Sequence, residues 1–376
     1  MQLIQIVSRL PPAVSGVGDY ALLLARQLRD AHGIDTKFVL TDSDWSGDPQ
    51  LEGFDVQQLP RRTAKDLLKI VNDDCVGPVL MHYVGYAYAP KGCPFWLIRA
   101  LEHWQLQRTQ NTSAQFPRLL VMFHELYATG PLWNSAGITS SIQKWLTRRL
   151  ARIADVCFTN RRRSALELEK MRASSEPEVK VFPVFSNFGD APNRAALAKR
   201  GSQAVWFGGI GRGAKDRVTG LNRLRAAVGK LAISKVVAVG CKGMNFETLG
   251  IPIEQHSVLS REAVTHVLSQ SRIGILDYYD GYLGKSGIFA AYCSHGLMPL
   301  LVAANASELD GLQSGRHFLV AASLKDSPPP ANLQQIADAA STWYASHDLA
   351  RTSSAFAAAL NEEKSTPRPE ALAALS

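Results

Sequence analysis

Short apolar runs alternate with longer stretches of helical period along most of the chain. In the first half the runs are Leu3 to Val7, Thr36 to Leu40, Val56 to Leu59, Val79 to His82, Arg118 to Phe123, Val156 to Thr159 and Val179 to Val181. A second series follows at Ala204 to Phe207, Val236 to Val239, Ile253 to His256, Ile273 to Leu276, Met298 to Val302 and His317 to Val320. Short, continuously apolar strands separated by amphipathic helices are the mark of βαβ units, in which helices cover both faces of a parallel sheet. The pattern therefore predicts an α/β protein with two parallel-sheet domains in tandem.

Between the two series the texture changes. Ser186 to Gln203 carries Gly, Pro, Asn and Ala without a sustained apolar period, as linkers do. The expected division is an N-terminal domain over 1–186, a linker over 187–203 and a C-terminal domain over 204–345. A Pro-rich break at Ser327 to Pro330 precedes two helices, Leu333 to Ala345 and about Asp348 to Asn361. The second of these, within 346–361, is expected to pack back on the N-terminal domain, and 362–376 reads as a frayed tail.

One helix has a pronounced charge pattern. Over Ser140 to Ile153, helical spacing groups Ile142, Trp145, Leu146, Leu150 and Ile153 on one face and Lys144, Arg148, Arg149 and Arg152 on another. The apolar face is expected to lie on the sheet. The basic one, with Arg161, Arg162 and Arg163 nearby, has two readings, a solvated surface or a dock for anionic membrane.

Composition narrows the class. The 376 residues exceed what one core usually serves. A hydrophobic share of 46% and a charged share of 20% are those of a soluble globular protein. No apolar run is long enough to span a bilayer, and the N-terminus enters a strand without a basic leader, so a cytoplasmic protein is expected. Cys75, Cys93, Cys157, Cys241 and Cys293 are an odd, scattered set without a Cys-x-x-Cys pair, which suits reduced thiols and indicates neither a zinc site nor a disulfide frame. A net charge of +8 favours an anionic partner. Nucleic acid is not expected, because the aromatic residues lie mostly in apolar runs rather than interleaved with Lys and Arg.

In open parallel sheets ligands bind beyond the carboxyl ends of strands, so residues directly after an apolar run carry the most weight. After the first run, Pro11 to Leu28 reads as a glycine loop leading into a helix near Asp19. Gly16 and Gly18 permit a tight turn, and the helix N–H groups would seat phosphate or sugar hydroxyls. Two glycines and two prolines do not make the dinucleotide fingerprint, and a plain strand-to-helix turn is the competing reading. His82 and Tyr83 end one strand, and His124 and Glu125 end another. An imidazole at a strand tip can donate to a sugar hydroxyl or to charge developing on a leaving phosphate, or it can simply tie its own loop together. In the second half, Gly208 to Lys215 brings Arg212 and Lys215 to a strand end, chemistry suited to a diphosphate. Asp277 to Gly287 leads into a helix whose start places Lys285 beside the N–H groups of Ser286 and Gly287.

Together these segments resemble a retaining glycosyltransferase of the GT-B fold, family 4 of the glycosyltransferases, a resemblance that implies two Rossmann-like parallel-sheet domains with a cleft between them. Pro-Pro-x-x-x-Gly-x-Gly-Asp-Tyr with Leu-Ala-Arg-Gln-Leu is similar to that family's glycine loop and first helix, and Phe123-His124-Glu125 to its His-bearing strand tip. Val181-Phe182-Pro183 with Ser186-Asn187 is similar to its strand before the linker, Gly208 to Lys215 to its diphosphate loop, and Ser294 to Pro299 to the Gly-x-Pro segment after its donor helix. One departure stands out. Counting back from Gly296, the family's two glutamates, one of which commonly grips the donor ribose, fall on Leu283 and Ala291.

The resemblance implies a hexosyltransferase-like enzyme of polysaccharide biosynthesis, working without a metal or other cofactor and with retention at the anomeric carbon. It would move a sugar from a nucleoside-diphosphate sugar to a glycan, a lipid-linked sugar or a small molecule. Candidate roles follow from it. His124 is the candidate catalytic residue; Gly16, Gly18, Arg212, Lys215, Lys285, Ser286 and Gly287 are the donor-binding candidates; Asp19, Tyr20, His82, Tyr83 and Glu125 are the acceptor-side candidates. The missing glutamates keep a second expectation open, a nucleotide-sugar hydrolase or epimerase, or an inactive sugar-nucleotide-binding protein, on the same fold.

Overall fold

The computed structural model of the protein describes residues 1–73, 77–110, 117–128, 135–172, 178–191, 193–208, 214–241, 246–278, 280–302, 309–325 and 332–362. The chain divides into two compact units, one of Met1–Phe182 with the chain from Ala350 onward, the other of Pro183–Leu349.

The first unit holds strands β1 (Gln2–Val7), β2 (Asp35–Leu40), β3 (Gln50–Leu51), β4 (Phe54–Gln58), β5 (Val79–Tyr83), β6 (Leu119–Phe123), β7 (Val156–Thr159) and β8 (Lys180–Val181). They form one sheet in the order β3-β4-β2-β1-β5-β6-β7-β8, parallel except for the short β3, which pairs antiparallel with β4. Its helices are α1 (Gly16–His32), α2 (Ala64–Asp73), α3 (Gly85–Tyr88), α4 (Phe95–Gln110), α5 (Ser135–Ile153) and α6 (Arg162–Met171).

Side chains alternate across a strand, so each strand feeds two cores. Ile4, Ile6, Met81, Val121 and Cys157 enter the larger one with Leu67, Leu101, Leu146 and Leu168 from α2, α4, α5 and α6. Val7, Phe38 and Leu40 enter the other with Ala21, Leu22 and Ala25 of α1. Helix α1 starts one turn earlier than Asp19, because Ser15 caps it by accepting from the Gly18 amide at 3.1 Å. It ends at Gly33, whose left-handed φ of 62° turns its amide back onto Arg29 and Leu28.

The second unit holds β9 (Gln203–Phe207), β10 (Lys235–Val239), β11 (Ile253–His256), β12 (Ile273–Leu276), β13 (Met298–Leu301) and β14 (Leu319–Val320), with α7 (Ala214–Lys230), α8 (Arg261–Gln270), α9 (Gly287–Ser294) and α10 (Leu333–Ala345). The sheet is parallel throughout, in the order β11-β10-β9-β12-β13-β14. Read from β9 as the first strand, this is 3-2-1-4-5-6, the doubly wound order of nucleotide-binding sheets. Two parallel-sheet α/β units are thus what the alternation of runs foretells.

Residues 187–203, expected as a linker, belong to the second unit. Leu197 is buried in its core, and the buried Arg200 donates to the carbonyls of Ser271 at 3.0 Å and His295 at 2.8 Å. The last helix, α11 (Leu349–Asn361), serves the first unit: Phe356 stacks on Phe158 at 4.0 Å, and Arg118 donates to the carbonyl of Ala359 at 2.8 Å.

Helix α5 is rotated from its expected setting. Leu146, Leu150, Ala151 and Ile153 are buried, but Ile142 and Trp145 are 42% and 46% exposed. Gln143 and Thr147 take the inward places instead, since both can bond the loop beneath: Gln143 accepts from the Ala128 amide at 2.6 Å and Thr147 donates to the Leu126 carbonyl at 2.6 Å. The basic band changes too. Arg149 forms a two-pronged ion pair with the buried Glu102, at 2.5 and 2.7 Å, Arg152 bonds the Met171 carbonyl at 3.1 Å, and Arg161 is buried. Lys144, Arg148, Arg162 and Arg163 remain exposed, joined by Lys170. Among the described residues Cys93, Cys157, Cys241 and Cys293 form no disulfide.

Candidate functional site

Each sheet has one place where consecutive crossovers leave in opposite directions, and there a crevice opens beyond the carboxyl ends of the strands. In the first unit it lies between β1 and β5, and in the second between β9 and β12. The predicted site loops sit at both.

At the first of these points, β1 runs out into the loop before α1. Gly18 is a glycine for a local reason, because a Cβ there would lie 2.4 Å from the Arg9 carbonyl oxygen. Its amide already serves the Ser15 cap, and Asp19 puts a carboxylate in the first helical turn, where a phosphate would otherwise be favoured. Both features weigh against the phosphate seat expected at Gly16 and Gly18. On the other side of this loop, Arg9, Asp42, Asp44 and Trp45 line a hollow of about 290 Å³. Arg9 pairs with Asp42 at 2.8 Å, and the Trp45 indole donates to the Leu10 carbonyl at 2.8 Å.

The two histidines are brought together. His82 Nδ1 lies 3.1 Å from His124 Nε2, and the rings stack at 5.4 Å with 23° between their planes. Tyr20 from α1 meets both edge-on, at 5.9 and 4.9 Å. His82 is fully buried, which pushes its pKa down to about 3 and keeps it neutral. His124 is buried as well, with 7% of its surface exposed. Burial pushes the Tyr20 hydroxyl far above its ordinary value.

Tyr83 does not join them. As the next residue along β5 it points to the opposite face, where it packs edge-on against Phe123 at 5.6 Å in the main core. Burial pushes its hydroxyl up to about 12. Tyr83 is therefore a packing residue rather than an acceptor-side one. Glu125 is exposed just past the tip of β6, its amide bonded to the Tyr83 carbonyl at 3.4 Å.

Sequence reasoning passed over Gln5. It sits mid-strand in β1, fully buried, with its Oε1 2.8 Å from His82 Nε2 and its Nε2 donating to Thr36 Oγ1 at 3.3 Å. A glutamine between Ile4 and Ile6 in the otherwise apolar run Leu3 to Val7 was the available signal, since a buried amide requires partners.

At the second point, Gly208 follows β9 with a φ of +75°. Arg212 and the side chain of Lys215 lie outside the described residues. After β12 the chain passes Asp277 and Tyr278, makes a 3-10 turn over Asp280–Lys285 and enters α9. Ser286 caps this helix, its hydroxyl accepting from the Phe289 amide at 3.1 Å. Its own amide donates to the Leu283 carbonyl at 3.0 Å, so the expectation that Ser286 offers an N–H to a ligand is corrected. The first-turn amides of Gly287 and Ile288, which helix geometry leaves without intrahelical partners, take that place. A side chain at 287 would crowd Asn187 at 3.1 Å, so Gly287 lets the start of α9 approach that residue. Lys285 stands over the Tyr282 ring, 5.4 Å from its centroid. Leu283 and Ala291, the two places that the resemblance gives to glutamate, are both buried.

Helix α9 is clamped to the sheet by one aromatic residue. The Tyr292 ring covers Gly274 of β12, where a Cβ would lie 2.3 Å from the ring, and its hydroxyl donates to the Ile275 carbonyl at 2.8 Å. The glycine is what lets α9 approach the sheet closely enough to aim its first turn at the strand ends.

No protein-family model and no curated protein matches the sequence. Solved structures do. A UDP-GlcNAc 2-epimerase from Neisseria meningitidis bound to UDP-GlcNAc superposes with a TM-score of 0.59 at 11% identity, covering 96% of this chain and 99% of that one. An alpha,alpha-trehalose 6-phosphate synthase from Burkholderia multivorans gives 0.57 at 13% identity, with 98% and 99% covered. An alpha-glucosyltransferase in complex with UDP and a 13-mer DNA containing a HMU base gives 0.54 at 12% identity, with 94% of each chain covered. The protein has a GT-B fold. In GT-B terms, the strand tips bearing His124 belong to the N-terminal unit, and Lys285 with the start of α9 belongs to the C-terminal one.

Proposed function

We propose that the protein is a glycosyltransferase that moves a hexosyl group from a nucleoside-diphosphate sugar to an acceptor hydroxyl. The supporting observation is the placement of polar groups beyond the strand ends of both sheets, His82 of β5 at one switch point with His124 on the neighbouring strand end, and Lys285 with the α9 amides at the other, on a fold whose structural neighbours include proteins solved with UDP or UDP-GlcNAc. In this reading the bond from the anomeric carbon to the diphosphate breaks, the acceptor oxygen bonds that carbon, and the acceptor's proton passes to the departing diphosphate. Lys285 and the α9 amides take up charge on the departing diphosphate, a task that cations and oriented N–H groups perform without a metal. The hollow bordered by Arg9 and Asp44 is the proposed seat of a hydroxylated acceptor. Retention at the anomeric carbon, a cytoplasmic location and a place in polysaccharide assembly belong to the same reading.

A second reading rests on the epimerase neighbour, which matches over almost the whole of both chains. Incubation with sugar-labelled nucleotide sugars separates the two. Label appearing in an added acceptor supports transfer, free sugar released without acceptor indicates hydrolysis, and an epimerised nucleotide sugar indicates the second reading.

Lys285→Ala is expected to weaken donor binding by one to two orders of magnitude, since a charge-assisted contact contributes roughly 1.5–3 kcal/mol. Lys285→Arg should recover only part of this, because a planar fork does not fill the place of a compact ammonium. The comparison is Lys199→Ala, an exposed lysine of the same unit. Donor titration of both variants checks the point, and equal small losses would contradict it.

The face made by α4, α5 and α6 carries exposed Phe95, Ile142, Trp145 and Leu166 among the cations Lys144, Arg148, Arg162, Arg163 and Lys170. Cations at headgroup level with aromatic residues dipping below them suit an anionic bilayer surface. Sedimentation with vesicles should show binding that rises with the anionic lipid fraction and falls in a Lys144→Glu, Arg148→Glu variant. Binding indifferent to lipid charge would contradict this docking.

A further inference from the structure

Three neighbouring strands of the first unit, β2, β1 and β5, and the residue directly after β6 each contribute one polar group to a single line of hydrogen bonds across the sheet. The line runs Thr36, Gln5, His82, His124. Period-two alternation explains why they meet: Gln5 pairs with Leu80, two residues before His82, and His82 pairs with Met122, two residues before His124, so all three side chains lie on one face. Gln5 and His82 are both fully buried, and Tyr20 closes the rings in from α1. A line of this length, running across an apolar interior, exceeds what a strand tip needs to tie down a loop.

The donors in the line all point the same way. Gln5 donates an Nε2 proton to Thr36 Oγ1, so its Oε1 faces His82 Nε2 and only an N–H there makes a hydrogen bond. A neutral imidazole carries one proton, so His82 Nδ1 is an acceptor. His124 must then place its own proton on Nε2, 3.1 Å away. We propose that Gln5 and His82 are positioning residues that hold His124 with a proton on Nε2, turned toward His82. This deepens the glycosyltransferase reading and rests on it for the ligand: that proton is spent within the sheet and is not offered to the departing diphosphate. Phosphate neutralisation is thereby left to the cations and helix amides of the second unit.

The wild-type protein with 15N-labelled histidine, free of ligand, is the first test. Two-bond proton–nitrogen correlations distinguish the tautomers of each ring, and His124→Gln identifies the His124 signals. Both His82 and His124 should be Nε2–H. An Nδ1–H form of His124 would mean that the line runs in reverse and would overturn the proposal, whether or not the protein is a transferase. Gln5→Met keeps the volume and removes the acceptor. It should convert His124 to a mixture of tautomers and lower kcat about tenfold with KM for the donor little changed, as expected for the loss of roughly one hydrogen bond's worth of orientation. Unchanged tautomers in Gln5→Met, or altered tautomers with wild-type kcat, would overturn the positioning role.

Discussion

His124→Ala is expected to lower turnover about a hundredfold, the loss typical when one preorganised polar group is removed from a reacting centre. The structure adds a stability cost that burial alone does not predict. His82 is fully buried and faces His124 at 3.1 Å, so the variant strands a buried Nδ1 without its donor, at a cost of roughly 1–3 kcal/mol. Turnover should therefore be measured well below the melting temperature of the variant, with the folded fraction determined in parallel. His124→Ala with wild-type kcat per folded molecule would remove the residue from the chemistry and leave it a role in the sheet alone.

Gly274→Val is expected to be the most damaging substitution in the second unit. The new Cβ would lie 2.3 Å from the Tyr292 ring, which has nowhere to go: Tyr292 is fully buried and its hydroxyl is bonded to the Ile275 carbonyl. Forcing atoms into a packed interior costs typically 1–3 kcal/mol and occasionally more, and the absence of an escape route puts this site at roughly 3 kcal/mol or above. Because α9 is held to the sheet by that contact, the same change should tilt its first turn away from the strand ends and weaken donor binding. Urea unfolding and donor titration of Gly274→Val beside Gly274→Ala test this. Equal stability of Gly274→Val and wild type would show that the ring can yield and that the clamp is not a clamp.

The two sheets were legible in the sequence because central strands such as β6 and β12 are apolar on both faces, so length and spacing of the runs were enough. The short β3 was not, since Gln50 and Leu51 are two residues in a polar setting, paired only through the turn into β4. Histidines at the ends of apolar runs identified His82 and His124, but their contact depends on β5 and β6 being neighbours, which no local pattern states. Gln5 was hidden for the same reason: its partners come from β2 and β5, at sequence separations of 31 and 77. In α5, hydrophobicity alone pointed Ile142 and Trp145 inward. The fold instead buries Gln143 and Thr147, because the loop beneath offers an amide and a carbonyl that need partners. At α9 the sequence located the helix start correctly, whereas which amides remain available depended on the preceding turn, whose Leu283 carbonyl takes the Ser286 N–H.

The central claim is that the second unit binds a nucleoside-diphosphate sugar at the start of α9, and thermal unfolding with a panel of such donors tests it most directly. A ligand that binds only the folded chain at about 100 times its Kd adds about 2.7 kcal/mol. The account predicts that at least one donor raises the melting temperature of the wild-type protein, that the bare nucleoside diphosphate raises it in part, and that Lys285→Ala loses most of the shift while Lys199→Ala keeps it. No shift from any donor, or a shift that survives unchanged in Lys285→Ala, would contradict it.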